Sequence, residues 1–129
     1  MPTPDLAQID HPSAFPFDQT LARLSQAIAD AGMQVFATID HARNAREAGL
    51  VMPPSTVLIY GKAEGGTPIM LASPRSALDL PLRVLVREED GRCIVSFYPI
   101  RSVLGLSGVA EDVAARLAPA QALLGKAIA

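Results

Sequence analysis

The sequence predicts an α+β fold, a single antiparallel sheet of about four to five strands with helices packed on it, in one domain. Three observations carry that expectation. Residues 33–40, 82–87 and 92–98 alternate apolar and polar side chains with the period of a half-buried strand. Residues 21–31 and 109–128 instead repeat apolar side chains at helical spacing. The last two strand segments are separated by Asp90-Gly91, a pair that tolerates the positive φ angles of a two-residue type I′ turn, so they run antiparallel. With 129 residues, half of them apolar, the chain can build one covered core without disulfide or metal staples.

In chain order, residues 6–9 read as a short edge strand, because Pro12 and Pro16 cannot donate to a ladder. Residues 1–16 as a whole are expected to be loosely ordered. Asp18 is a fit N-cap for a helix that carries Leu21, Leu24, Ile28 and Ala31 on one face and stops at Gly32. The strand over 33–40 follows, with Phe36 the one large apolar side chain on its polar face. Asp40 caps a short helix over 41–48, closed by Gly49 and Leu50 in a Schellman-like ending. Pro53-Pro54 then turns the chain into Val57-Leu58-Ile59-Tyr60, whose unbroken apolar character predicts a central strand covered on both faces. A loop over 61–66 leads to Thr67-Pro68, an N-cap hydroxyl before a proline at the first helical position, which predicts a helix through Ile69, Met70 and Leu71 that Pro74 limits. After the hairpin, a helical turn follows Pro99 through Val103 and Leu104, and a C-terminal helix over 107–129 is broken by Pro119 after Leu117.

Composition narrows the function. A net charge of −2 from 11 basic and 13 acidic residues offers no stripe for a phosphate backbone, and the absence of tryptophan removes a common stacking platform. No nucleic-acid partner is expected. The single cysteine, Cys93, cannot form an internal disulfide and reads as a small core residue. No run approaches the ~18 uninterrupted apolar residues of a membrane span. Residues 1–5 have neither the basic region nor the apolar stretch of a signal peptide. A soluble, cytoplasmic protein with no membrane partner is therefore expected.

Gly32, Phe36, Ile39-Asp40-His41, Ala48-Gly49-Leu50, Gly61, Gly66-Thr67-Pro68 with Met70, Pro74 and Asp79-Leu80-Pro81-Leu82 stand together over residues 21–98. In this combination the chain resembles the bacterial and archaeal family catalogued as domain of unknown function 302. The resemblance implies a compact α+β domain similar to the TATA-binding-protein-like architecture, and a tendency to form homodimers. It implies no established reaction. Relatives carry an Arg-His pair beyond the last hairpin, whereas this chain reads Tyr98-Pro99-Ile100-Arg101-Ser102-Val103-Leu104-Gly105-Leu106 there.

His41 is one of only two histidines and the one that falls inside a predicted element. At the first helical position, beside Asp40, its imidazole has a placement suited to general acid or base work or to hydrogen bonding. The competing reading is that Asp40 only caps the helix and His41 packs locally. Gly65-Gly66-Thr67, opening a helix with Lys62 nearby, would present backbone N–H groups to an anion, although no Walker-type Gly-Lys-Ser/Thr is present. Only Asp40, Glu47 and the distant Cys93 could join His41 around a metal, so neither a metal site nor a cofactor is expected. The leading expectation is a homodimeric ligand-binding or accessory protein. Its pocket is lined by Phe36, His41, Tyr60, Gly65, Gly66, Thr67 and Met70 and suits a small anionic ligand. One alternative is a small enzyme in which His41 and Asp40 act as general acid/base on an anionic molecule held at the Gly66-Thr67 helix start. The other is a structural or protein-interaction module.

Overall fold

Five strands, β1 (Ile9–Pro12), β2 (Gln34–Asp40), β3 (Ser55–Gly61), β4 (Leu82–Glu89) and β5 (Arg92–Phe97), form one antiparallel sheet in the order β1-β5-β4-β3-β2. The computed structural model describes residues 6–129, and the expectation for residues 1–5 lies outside them. Among the described residues, six α-helices accompany the sheet: α1 (Phe17–Asp30), α2 (His41–Glu47), α3 (Ala63–Ala72), α4 (Ile100–Leu106), α5 (Glu111–Ala114) and α6 (Pro119–Ala127). Short 3-10 turns occupy Pro74–Leu78 and Ala115–Leu117. The architecture is the α+β single domain that the alternating and helical patterns predict.

The hairpin forms because Asp90 and Gly91 adopt φ angles of 51° and 76°, which lets Glu89 pair with Arg92 across a two-residue turn. Asp40 caps α2 through a 2.9 Å hydrogen bond from the Arg43 amide, and Gly49 (φ 79°) closes that helix as the Leu50 amide reaches back to the Ala45 carbonyl at 2.8 Å. Gly32 (φ 77°) closes α1 in the same way, with the Met33 amide on the Ile28 carbonyl at 3.1 Å.

Several boundaries differ from expectation. The first strand is Ile9–Pro12 rather than 6–9, and it is paired with β5 rather than loose. An edge position tolerates the proline at its end. Asp18 is not the N-cap of α1; Pro16 holds that place and Asp18 lies in the first turn, where its charge still suits the helix dipole. The Thr20 hydroxyl, 3.0 Å from the Phe15 carbonyl and 2.6 Å from the Ser13 hydroxyl, fastens the entry instead. β3 is neither the central strand, which is β4, nor covered on both faces. Thr56, Leu58 and Tyr60 are buried under the helices, while Val57 and Ile59 on the other face are only half-buried. The C-terminal helix starts at Glu111 rather than at residue 107 and passes into a 3-10 turn at Ala115, before the expected break; Pro119 then takes the first position of α6.

All the large core side chains lie on one side of the sheet. Leu24 and Ile28 of α1, Leu104 of α4 and Leu124 of α6 pack with Ile128 onto Leu58, Tyr60, Val84, Val86 and Val95. Gln121 is buried in this layer with its amide satisfied: Oε1 accepts from the Ile100 amide at 2.9 Å and Nε2 donates to the Tyr98 carbonyl at 2.9 Å, so one side chain both starts α4 and ties it to α6. Among the described residues, no helix is long and apolar enough to cross a membrane.

Candidate functional site, an apolar cavity at the end of β2 and β3

The start of β2 pairs with the end of β3, Val35 opposite Tyr60 and Gln34 opposite Gly61, and the ladder slips by one residue between Val35 and Ala37. The extra residue of this bulge is Phe36, which explains why it broke the alternation. Its ring lies against Gly61, where an added Cβ would come within 3.8 Å of both Phe36 Cε2 and Pro81 Cβ. Those are ordinary contacts, so it is the backbone, at a φ of 151°, that favours glycine there.

Beyond this corner opens a cavity of about 450 Å³. β2 and β3 contribute Phe36 and Tyr60, α3 contributes Gly65, Gly66, Thr67 and Met70, and the segment before β4 contributes Leu80 and Pro81, joined by a cis peptide bond. Arg116, Leu117, Pro119, Ala120 and Leu123 close it from the C-terminal segment. The Tyr60 hydroxyl donates to the Ala120 carbonyl at 2.9 Å, and burial raises its pKa well above the usual phenol value. It is a neutral, committed donor that joins β3 to α6, and it is not available as an acid or base. Lys62 and Arg116 are both exposed, so the two lining cations stand at the mouth.

Of the residues singled out in sequence, Phe36, Tyr60, Gly65, Gly66, Thr67 and Met70 line this one cavity, and His41 does not. His41 is exposed at the opposite end of β2, where Asp40 pairs with Thr56. Four residues of extended chain separate that point from Tyr60, roughly 13 Å at about 3.3 Å per residue. The pairing of a His41 base with a substrate held near Gly66 is therefore corrected by the fold. Asp40 is fully used as a cap.

The expected anion cradle also changes. α3 begins at Ala63, so Gly65, Gly66 and Thr67 lie inside the helix and Pro68 is an internal proline rather than its first residue. The Gly65 and Gly66 amides already bond the Lys62 carbonyl at 3.1 and 3.3 Å. Thr67 makes no capping bond. The chain enters helix early because Lys62, in an extended conformation, serves as N-cap, and the glycines are tolerated within the turn. Among the described residues, no group of three or more His, Cys, Asp and Glu side chains is placed to hold a metal ion.

The wall from Arg116 to Leu123 was not foreseen at the cavity. Pro119 marks the start of α6, but no local pattern says which face this segment meets.

Residues 9–127 match the family model described as domain of unknown function DUF302. The chain belongs to the DUF302 family. A crystal structure of an uncharacterized conserved DUF302 protein from Bacillus stearothermophilus superposes with a TM-score of 0.81 at 15% identity, covering 94% of each chain, so the two share a fold. Among curated relatives, the fluoride-specific ion channel FluC 1 of Brucella suis is 38% identical over 71 residues, 55% of this DUF302 chain and 28% of the channel. FluC 1 of Brucella abortus is likewise 38% identical over 71 residues, 26% of its length. The chain thus spans about a quarter of the curated relatives it matches.

Proposed function

We propose that this DUF302 domain is a binding protein that takes a small, largely apolar molecule into the cavity at the β2–β3 end, without catalysis by His41. One observation carries the reading: a cavity of about 450 Å³ is lined mostly by apolar and backbone surface and by no His, Cys, Asp or Glu side chain. Its size falls within the roughly 300–1,000 Å³ of ligand pockets, and its lining supplies contact area without an acid–base pair. Screening metabolites by thermal shift tests it. A ligand at 100 times its dissociation constant should add about 2.7 kcal/mol of stability. Gly66→Leu, which fills the cavity from a helical position, should remove that gain, and His41→Ala should keep it. A ligand whose effect survives Gly66→Leu but is lost with His41→Ala contradicts the proposal.

Homodimerisation belongs to the same reading. The sheet face away from the helices carries Ile39, Val57, Ile59 and Leu85, with Ile39 paired to Val57 and Val57 to Leu85 in one transverse row. These apolar side chains are exposed or only half-buried. A second copy laid on this face would cover them. Native mass spectrometry at micromolar concentration should give the dimer, and Val57→Lys should give monomer.

A second reading follows from the match to part of two fluoride channels: the domain serves as an accessory unit to a transport protein. It is supported by the share of those channels that matches, about a quarter, together with a fold whose described helices do not span a membrane. Removing the matched 71 residues from the Brucella suis channel should leave fluoride conduction intact; lost conduction counts against it.

A further inference from the structure

The cavity lining combines two chemistries that narrow what it can hold. The half-buried Met33, Met70 and Leu123, with the exposed Phe36, offer apolar surface, and the two methionines can adapt to an irregular chain. At the mouth, the only charged side chains in the lining are Lys62 and Arg116. They come from distant parts of the chain, the N-cap of α3 and the 3-10 turn before α6, and both line this one cavity, where α3 approaches that turn at Gly65. An added Cβ on Gly65 would lie 3.5 Å from Leu117 Cδ2. Among the described residues, neither cation is in an ion pair. Glu64, in the same turn of α3, is exposed and outside the lining. An apolar chamber with unpaired positive charge at its opening repels cations and gives a neutral chain nothing to anchor its end.

We propose that the cavity accepts an amphipathic monoanion, with an apolar chain along Phe36, Met33, Met70 and Leu123 and a carboxylate-type head between Lys62 and Arg116. This rests on the cavity being a ligand site and adds the class of ligand. At the liquid-water share of about 30 Å³ per non-hydrogen atom, the volume suits roughly ten to fifteen such atoms. That is the size of a medium-chain carboxylate. The guanidinium can meet a carboxylate in two parallel bonds, while the ammonium of Lys62 acts as a point charge.

Isothermal titration of the intact chain with decanoate, 1-decanol and decyltrimethylammonium, each below its micellar concentration, tests both layers. Decanoate should bind, decanol about tenfold more weakly, and the cation least. Lys62→Gln with Arg116→Gln should weaken decanoate about tenfold and leave decanol unchanged, as expected for two exposed ion pairs. Both replacements are on the surface, so the fold should persist. Gly66→Leu should weaken all three. Decanol binding as tightly as decanoate, or decanoate unaffected by the double substitution, overturns the head-group assignment and leaves the cavity reading standing. Failure of all three probes to bind, or binding indifferent to Gly66→Leu, overturns the cavity reading itself.

Discussion

At the scale of single residues, the glycines of this chain separate into those held by a positive φ and those held by neither conformation nor space. Gly66 is held by neither: its φ is not positive, and an added Cβ would meet Met70 Cε at 3.7 Å and Leu80 Cδ1 at 3.8 Å, ordinary contacts. Gly66→Ala should therefore raise stability by about 0.5–1 kcal/mol in denaturant titration, the usual gain for replacing a helical glycine. Gly91, at φ 76°, should respond in the opposite direction, Gly91→Ala costing about 1 kcal/mol. Tyr60 gives a pH-dependent test. Its folded pKa is raised, so the native state keeps the proton that the unfolded chain releases above the ordinary phenol value of about 10. The stability linked to that proton is complete below this pH and is lost as pH rises beyond it. The denaturation midpoint should fall in alkali for the wild type and fall less for Tyr60→Phe. Asp40 and His41 belong to this scale too. Asp40→Ala should cost about 1 kcal/mol as a lost cap, with no change in ligand response.

At the scale of elements, the parts written in adjacent residues were legible and the parts made by distant ones were not. Asp90-Gly91, Asp40 with Gly49, and Gly32 each fix a turn or a helix end through bonds spanning a few residues, and each stands where the sequence placed it. Thr67-Pro68 misled because a proline inside a helix and a proline at its start have the same local composition; Lys62, with no capping side-chain bond, starts α3 unannounced. Val57 and Ile59 misled because unbroken apolar character was read as cover on both faces, whereas the helices lie on only one. Gln121 also had no local sign, since its two partners lie 21 and 23 residues away. Gln121→Leu should lower stability by about 1–3 kcal/mol, chiefly by leaving the buried Ile100 amide without its acceptor. Increased hydrogen exchange confined to α4 would locate the loss there.

At the scale of the whole molecule, one antiparallel sheet carries its helices on one face and leaves the other to solvent or a second copy. Phe36, Tyr60 and Met70, singled out in the sequence, line the cavity, and Phe36 carries a local sign because it breaks a strand pattern. Arg116 and Leu123 carry no such sign, because only the packing of the C-terminal segment brings them to the cavity that α3 also lines. The site therefore joins the middle of the chain to its end, and His41 remains at the other end of the sheet. Ligands that enter this cavity, as proposed, should act independently of His41. Amide chemical-shift mapping of the ¹⁵N-labelled protein, titrated with decanoate and a mixture of apolar fragments, tests it most directly. Shifts are expected at Phe36, Gly61, Gly65, Gly66 and Leu123, with none at His41 to Arg43. Shifts centred on His41, with the cavity amides unmoved, would contradict it.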